Sequence, residues 1–97
     1  MNLEIKKRAL NTLVCIVDWI ESQNTAGAGD RWLEKAIEEL KDIAAHKVNH
    51  LICKDPRLAR YQYRCFTYND KWIVAYKIER NQFVVYRFIY GPWLDYR

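Results

Sequence analysis

The sequence predicts an α+β domain in which an N-terminal strand and a two-helix hairpin pack on a small antiparallel β-sheet. Two amphipathic helical segments occupy the first half of the chain. Twelve of the 14 aromatic residues lie in positions 61–97, where three apolar runs alternate with turn signals. Neither helix can bury its apolar stripe alone, and the sheet is the flat surface available to both. The order β-α-α-β-β-β therefore predicts two packed layers.

Length and composition predict a single domain spanning residues 1–97. The apolar fraction of 51% and the charged fraction of 29% are typical of globular proteins. No run approaches the roughly 18 apolar residues that a membrane span requires. The first residues lack the apolar stretch and cleavage site of a signal peptide. We therefore expect a cytoplasmic protein with no membrane partner.

Positive charge is concentrated in the half of the chain that carries the strands. Residues 1–50 hold 7 Lys and Arg against 8 Asp and Glu, whereas residues 51–97 hold 9 against 4. This asymmetry predicts that the sheet end of the molecule meets an acidic protein or a nucleic acid.

The cysteines predict neither a disulfide framework nor a metal centre. Cys15, Cys53 and Cys65 are odd in number and form no CxxC pair. We expect all three to be small buried hydrophobes. His46 and His50 have helical spacing, but no third ligand lies nearby in the sequence, so we expect no metal and no cofactor.

The first half predicts a strand followed by the helix hairpin. Residues 3–7 alternate apolar and polar side chains, which favours a short strand over a frayed lead-in to the helix. Apolar positions recur at helical spacing across residues 9–23. The glycines at 27 and 29 then break the pattern, and Asp30 is predicted to cap a second helix that reaches about Ala44.

Three strands are predicted at residues 61–68, 71–78 and 83–90. Asn69-Asp70 suits a two-residue hairpin turn because both residues tolerate positive φ. Arg80-Asn81 is the second turn, of two or three residues. Asp55-Pro56 marks an earlier turn, and Gly91-Pro92 ends the last strand.

A two-residue turn at Asn69-Asp70 assigns the strand residues to faces. It places Arg64 and Lys77 near each other on an open face, and it turns Tyr63, Cys65 and Tyr76 toward the helices. The facing of Arg87 depends on the length of the second turn. Because an unpaired arginine is costly in a covered core, we expect Arg87 on the open side or at the rim.

The chain resembles the RelE/ParE superfamily of bacterial toxins from type II toxin–antitoxin systems along nearly its whole length. The features that carry the resemblance are loose patterns in a matching order: the helical segments 9–20 and 33–44, the long turn with Pro56, Tyr63-Arg64, and the strand segments 73–76 and 85–90.

The resemblance implies a small basic toxin that a cognate acidic antitoxin neutralises by wrapping around the sheet and helices. RelE-like relatives are endoribonucleases that cleave mRNA at the ribosome. ParE-like relatives poison DNA gyrase and are not known nucleases. A catalytically inactive toxin-fold protein that only binds an antitoxin is the alternative.

Departures from the RNA-cleaving pattern favour the ParE-like branch. Ile73 occupies the third-strand position where those relatives place an arginine. They place another arginine shortly after the last strand, near Trp93 in this chain. Arg87 and Tyr90 are placed more like the arginine and histidine that end the last strand in many ParE-like sequences. From this comparison the candidate catalytic residues are Arg64, Arg87 and Tyr90. The candidate substrate-binding or partner-binding residues are Lys77, Trp93, Tyr96 and Arg97.

Overall fold

The computed structural model describes residues 1–46 and 49–93, and for Trp93 the backbone alone. The elements follow the predicted order, with one additional short helix before the last three strands. They are β1 (Asn2–Ile5), α1 (Lys7–Gln23), α2 (Ala28–Ala45), α3 (Pro56–Ala59), β2 (Arg64–Tyr68), β3 (Trp72–Glu79), β4 (Gln82–Tyr90) and a 3₁₀ turn (Gly91–Trp93). The predicted α+β class is confirmed.

The four strands form one sheet in the order β1-β4-β3-β2. Strands β2, β3 and β4 are an antiparallel meander, as predicted. Strand β1 pairs in parallel with β4, with Leu3 opposite Phe83, so the complete sheet is mixed. The N-terminal strand thus occupies one edge, next to the last strand of the chain.

Helix α2 begins two residues before the predicted cap, Asp30. Its N-cap is Gly27, whose φ of 87° is accessible to glycine at little cost. Glu21 of α1 accepts hydrogen bonds from the Gly27 amide (2.7 Å) and the Gly29 amide (2.9 Å). A carboxylate from the preceding helix therefore satisfies free amides at the start of α2, a role that was predicted for Asp30.

The hairpin is closed by a near contact between the two helix backbones. A Cβ atom at Gly29 would lie 2.5 Å from the Val17 carbonyl oxygen. Only glycine lets the start of α2 approach α1 this closely.

Helices α1 and α2 cover one face of the sheet and build the main core with it. Trp32 of α2 lies edge-on to Tyr68, Trp72 and Phe88, with ring centroids 6.1–6.4 Å apart. The buried members of this core come from both helices and the two central strands: Ala9, Leu13, Ile16, Leu40, Ala44, Val74, Tyr76, Phe83, Val85 and Phe88.

The turn between β2 and β3 contains three residues rather than the predicted two, because Tyr68 pairs with Trp72. Asn69 and Asp70 adopt the expected positive φ values, 57° and 60°. The extra residue is Lys71, whose carbonyl accepts a hydrogen bond from the Gly91 amide at 2.6 Å.

The longer turn moves every β2 side chain to the face opposite the predicted one. Arg64 and Phe66 lie on the helix-covered face, in register with Tyr76 and Val74, while Cys65 lies on the other face with Ala75. This register packs the partly buried rings of Phe66 and Tyr68 against the main core and leaves Thr67 exposed. The predicted placement of Arg64 on the open face was wrong.

The turn between β3 and β4 has two residues, with Glu79 opposite Gln82. A β-bulge follows, since Ala75 pairs with Arg87 but Tyr76 pairs with Val85. Tyr86 is the extra residue. A bulge brings two successive side chains toward one face, so Tyr86 and Arg87 both lie away from α1 and α2. Arg87 was expected on the open side or at the rim, and the bulge places it on the face away from the helices.

Cys53 and Cys65 form a disulfide, which corrects the prediction of isolated thiols. Residues 51–53 run antiparallel to the start of β2: the Cys53 amide donates to the Tyr63 carbonyl (2.8 Å), and the Cys65 amide donates to the Leu51 carbonyl (3.1 Å). This pairing brings the two Cα atoms within 4.9 Å, a normal separation for a disulfide. Cys15 is free and exposed, not buried.

A second, smaller core lies on the sheet face opposite α1 and α2, which we call the outer face. Leu58 of α3 packs there with Cys53, Ala75 and Ile89. The predicted turn at Asp55-Pro56 is the start of α3, where the Asp55 carboxylate accepts a hydrogen bond from the Arg57 amide at 2.8 Å. The outer face is thus partly covered rather than fully open.

Candidate functional site

The uncovered part of the outer face carries three tyrosines in a row, which we call the tyrosine row (Tyr61, Tyr63 and Tyr86). Tyr61 and Tyr63 precede β2, and Tyr86 projects from the bulge in β4. The Tyr61 and Tyr63 ring centroids are 5.4 Å apart and inclined by 27°, and those of Tyr63 and Tyr86 are 5.0 Å apart and inclined by 25°. The row bridges the irregular segment and the centre of the sheet.

Each ring of the tyrosine row also lies beside a cation. The Arg60 guanidinium is 5.0 Å from the Tyr61 centroid, and the ammonium groups of Lys77 and Lys6 are 5.7 Å from those of Tyr63 and Tyr86. Such contacts are electrostatically favourable because the ring face is negative. The faces of the row are therefore engaged by neighbouring rings and by cations.

The hydroxyls of Tyr63 and Tyr86 are hydrogen-bond donors at neutral pH. Burial raises the pKa of Tyr63 above its usual value. The Tyr86 hydroxyl donates to the Glu79 carboxylate, and this bond raises the pKa of Tyr86 to about 12. Neither phenol can act as a phenolate base under ordinary conditions.

Arg87 is a half-buried cation beside the tyrosine row. Burial lowers its pKa, and the positive charges of Arg8 and Arg57 lower it further. Within residues 1–46 and 49–93, no carboxylate forms an ion pair with Arg87. Arg57, by contrast, is paired with the buried Asp55 at 2.7 Å. Arg87 is thus a guanidinium that lies near two other positive charges, one of which is already paired with a carboxylate.

Arg64 lies on the opposite face, where it supports the fold. Its guanidinium donates to the His50 carbonyl at 2.5 Å. The predicted neighbourhood of Arg64 and Lys77 is therefore not formed, because the three-residue turn separates them onto different faces. Lys77 remains on the outer face beside Tyr63.

Tyr90 also lies on the helix-covered face, where its ring contacts Trp72 at a centroid separation of 5.3 Å. The three candidate catalytic residues are consequently not brought together, since of these Arg87 alone lies on the outer face. The backbone of Trp93 lies in the 3₁₀ turn. Tyr96 and Arg97 lie outside the described residues.

The two histidines do not share a helical face. His46 caps the end of α2, whereas His50 lies beyond it and hydrogen-bonds through Nδ1 to the Tyr76 hydroxyl at 2.7 Å. The His50 ring stacks on Phe66 with centroids 4.9 Å apart, and burial lowers its pKa. Among the described residues, no group of three potential metal ligands occurs.

Sequence reasoning missed the tyrosine row and the lack of an ion pair for Arg87 among residues 1–46 and 49–93. Tyr61 and Tyr63 have the two-residue spacing of one strand face, which was a usable signal. Their contact with Tyr86 depends on the bulge in β4 and on the bridge at residues 51–53, and neither has a sequence signature. In the described part of the chain, no helix has the length and apolarity to span a bilayer.

Comparison with known proteins identifies the family. The model of the family described as the ParE toxin of the type II toxin–antitoxin system parDE matches residues 3–91. Among solved structures, the chromosomal ParDE toxin–antitoxin system from P. aeruginosa contains a similar chain, with a TM-score of 0.73 and 14% identity over 93% of this chain and 95% of that one. No curated protein sequence matches significantly. The chain therefore belongs to the ParE family and is the toxin component of a type II toxin–antitoxin system.

Proposed function

We propose that this toxin arrests growth by acting on DNA gyrase, without enzymatic activity of its own, and that a cognate acidic antitoxin neutralises it in the cytoplasm. The match of the ParE family model to residues 3–91 carries this proposal. Within the superfamily that the sequence resembles, gyrase is the target of the ParE-like branch.

The chemistry of the outer face supports a binding role over RNA cleavage. Metal-free RNA cleavage needs a base for the 2′-hydroxyl proton and an acid for the leaving oxygen. Tyr63 and Tyr86 remain protonated at neutral pH, and Glu79 already accepts the Tyr86 hydrogen bond. Arg87 supplies charge but takes no proton. These groups suit the recognition of an anionic surface.

The charge distribution supports an acidic antitoxin. The 9 Lys and Arg against 4 Asp and Glu in residues 51–97 give the sheet half of the chain a positive excess. An acidic partner would be attracted to that half from a distance. The expected partner is a short acidic protein encoded beside this chain, and co-expression followed by copurification tests it.

Induced expression in a bacterial host separates the possible activities. A gyrase-directed toxin should stop growth, induce DNA-damage signalling and leave messages intact. Early arrest of protein synthesis with cleaved messages would instead establish the ribosome-dependent nuclease. Normal growth with folded protein present would support the alternative, a toxin-fold protein that only binds its antitoxin. Arg87→Gln, checked for folding, shows whether the outer face contributes to the effect.

A further inference from the structure

We propose that the outer face docks an acidic polypeptide segment, with Arg87 as its principal carboxylate-binding group and Tyr63 and Lys77 as flanking donors. This inference rests on the proposed acidic antitoxin and deepens it by naming the surface and the chemistry of contact. It does not depend on which cellular target the toxin has.

Arg87 is the strongest reason for an anionic occupant. A guanidinium that is partly removed from water loses hydration, and this loss is ordinarily compensated by a carboxylate. Arg87 is half-buried, lies near the charges of Arg8 and Arg57, and has no ion pair among the described residues. A carboxylate supplied by a partner would form the paired hydrogen bonds that guanidinium geometry favours.

The groups around Arg87 are donors as well. The positive charges of Arg87 and Arg8 act on the Tyr63 hydroxyl. The Lys77 ammonium lies over the Tyr63 ring at 5.7 Å and forms no ion pair within residues 1–46 and 49–93. A carboxylate near Arg87 would therefore have further donors within the same patch.

The tyrosine row argues against a nucleic acid as the occupant. Proteins that bind single strands offer aromatic faces on which bases stack. Here Tyr61, Tyr63 and Tyr86 stack on one another and carry cations beside their rings. Inserting a base would first require breaking these contacts.

The carboxylates at one end of the row also favour a polypeptide. Glu79 accepts from Tyr86, and Glu4 pairs with Lys6 at 2.8 Å. A phosphodiester chain carries one negative charge per nucleotide and would meet repulsion at this end. An acidic peptide can place neutral residues opposite Glu4 and Glu79 while its carboxylates reach Arg87.

Fluorescence anisotropy with a labelled peptide of alternating Glu and Ser tests the proposal. Single-stranded RNA and DNA oligonucleotides of equal length serve as competing probes, at an ionic strength of about 0.15 M so that non-specific attraction is screened. We expect the peptide to bind more tightly than either oligonucleotide. Arg87→Gln should weaken peptide binding by about tenfold or more, and Lys77→Gln by a smaller factor.

Lys35→Gln is the matched control, because Lys35 is exposed on α2 and the substitution removes the same charge. It should change the peptide affinity by less than about twofold. Thermal unfolding of each variant checks that loss of binding is not loss of folding.

Two results would overturn the docking surface. One is peptide binding that is undetectable or insensitive to Arg87→Gln. The other is tighter, Arg87-dependent binding of an oligonucleotide, which would make the outer face a nucleic-acid surface. A protein that inhibits gyrase but fails this test would contradict only the docking surface. One that binds the peptide but leaves gyrase active would contradict only the proposed target.

Discussion

The Tyr63 ring stacks on the Tyr86 ring with centroids 5.0 Å apart, although the two residues lie 23 positions apart in the chain. The contact exists because the bulge in β4 turns Tyr86 toward the outer face, beside Arg87. It links the segment before β2 to the centre of the sheet and fixes the donors around Arg87. The pairing of these strands thus assembles the candidate binding surface.

Glu79 should control the ionisation of Tyr86. The hydrogen bond to its carboxylate is the main cause of the raised pKa of about 12. In Glu79→Gln we expect the pKa of Tyr86 to fall toward 10. An NMR titration of Tyr Cζ resonances measures this value, with Tyr86→Phe identifying the signal. Unchanged titration in Glu79→Gln would contradict the hydrogen bond.

Acid should weaken the link between α1 and α2 through Glu21. The amides of Gly27 and Gly29 hold the pKa of Glu21 below its ordinary value of 4.5. Because the folded-state pKa is lowered, the stabilisation is present above pH 4.5 and is lost as the pH falls through the folded-state pKa. Glu21→Gln should lower Tm at neutral pH, and the difference from the parent chain should shrink in acid. A difference in Tm that stays constant with pH would exclude this titration.

Reduction should destabilise the oxidised protein through Cys53 and Cys65. Their loop spans 12 positions, and a loop of this size corresponds to about 3 kcal/mol in the chain-entropy account. Urea unfolding with and without reductant measures the difference, and Cys15→Ser should leave it unchanged. Before reduction, alkylation and mass spectrometry should modify Cys15 alone. Modification of all three cysteines would show that the disulfide is absent.

Arg64 and Arg87 should respond differently to removal of their charge. Arg64 donates to the His50 carbonyl on the helix-covered face, so Arg64→Gln should cost about 1–3 kcal/mol of unfolding free energy. Its affinity for the acidic peptide should stay within about twofold of the parent. Urea unfolding and the anisotropy assay measure the two quantities. A large loss of peptide affinity in Arg64→Gln with unchanged stability would show instead that Arg64 belongs to the binding site.

Periodicity and turn chemistry were sufficient to predict the order of elements and the class of fold. Both depend on local residue choices, such as Asn69-Asp70 at one turn and Gly91-Pro92 at the end of β4. The register of β2 was mispredicted because Asn69 and Asp70 adopt positive φ in either turn length, so they do not reveal whether Lys71 belongs to the turn. The length of the turn follows from the packing of Phe66 and Tyr68 against the main core, which the observed register allows.

Long-range pairing was the part that the sequence did not reveal. The disulfide depends on the bridge between residues 51–53 and the start of β2, in a stretch without periodicity. The start of α2 depends on Glu21, eight positions before Gly29. Asp30 was the better local candidate for a cap. Only the packing of α1 against α2 brings the Glu21 carboxylate to the amides of Gly27 and Gly29. The expectation that Arg87 lies on the open side or at the rim was correct. It followed from the free-energy cost of an unpaired arginine in the core beneath the helices.

The most direct test of the toxin's proposed target is a plasmid supercoiling assay with purified DNA gyrase, relaxed plasmid, ATP and increasing amounts of the folded protein. A gyrase-directed toxin should inhibit supercoiling in a dose-dependent manner and accumulate cleaved plasmid, while a parallel translation extract retains intact mRNA. Unaffected supercoiling at a large excess of protein, together with cleavage of ribosome-bound mRNA in the extract, would contradict the proposal.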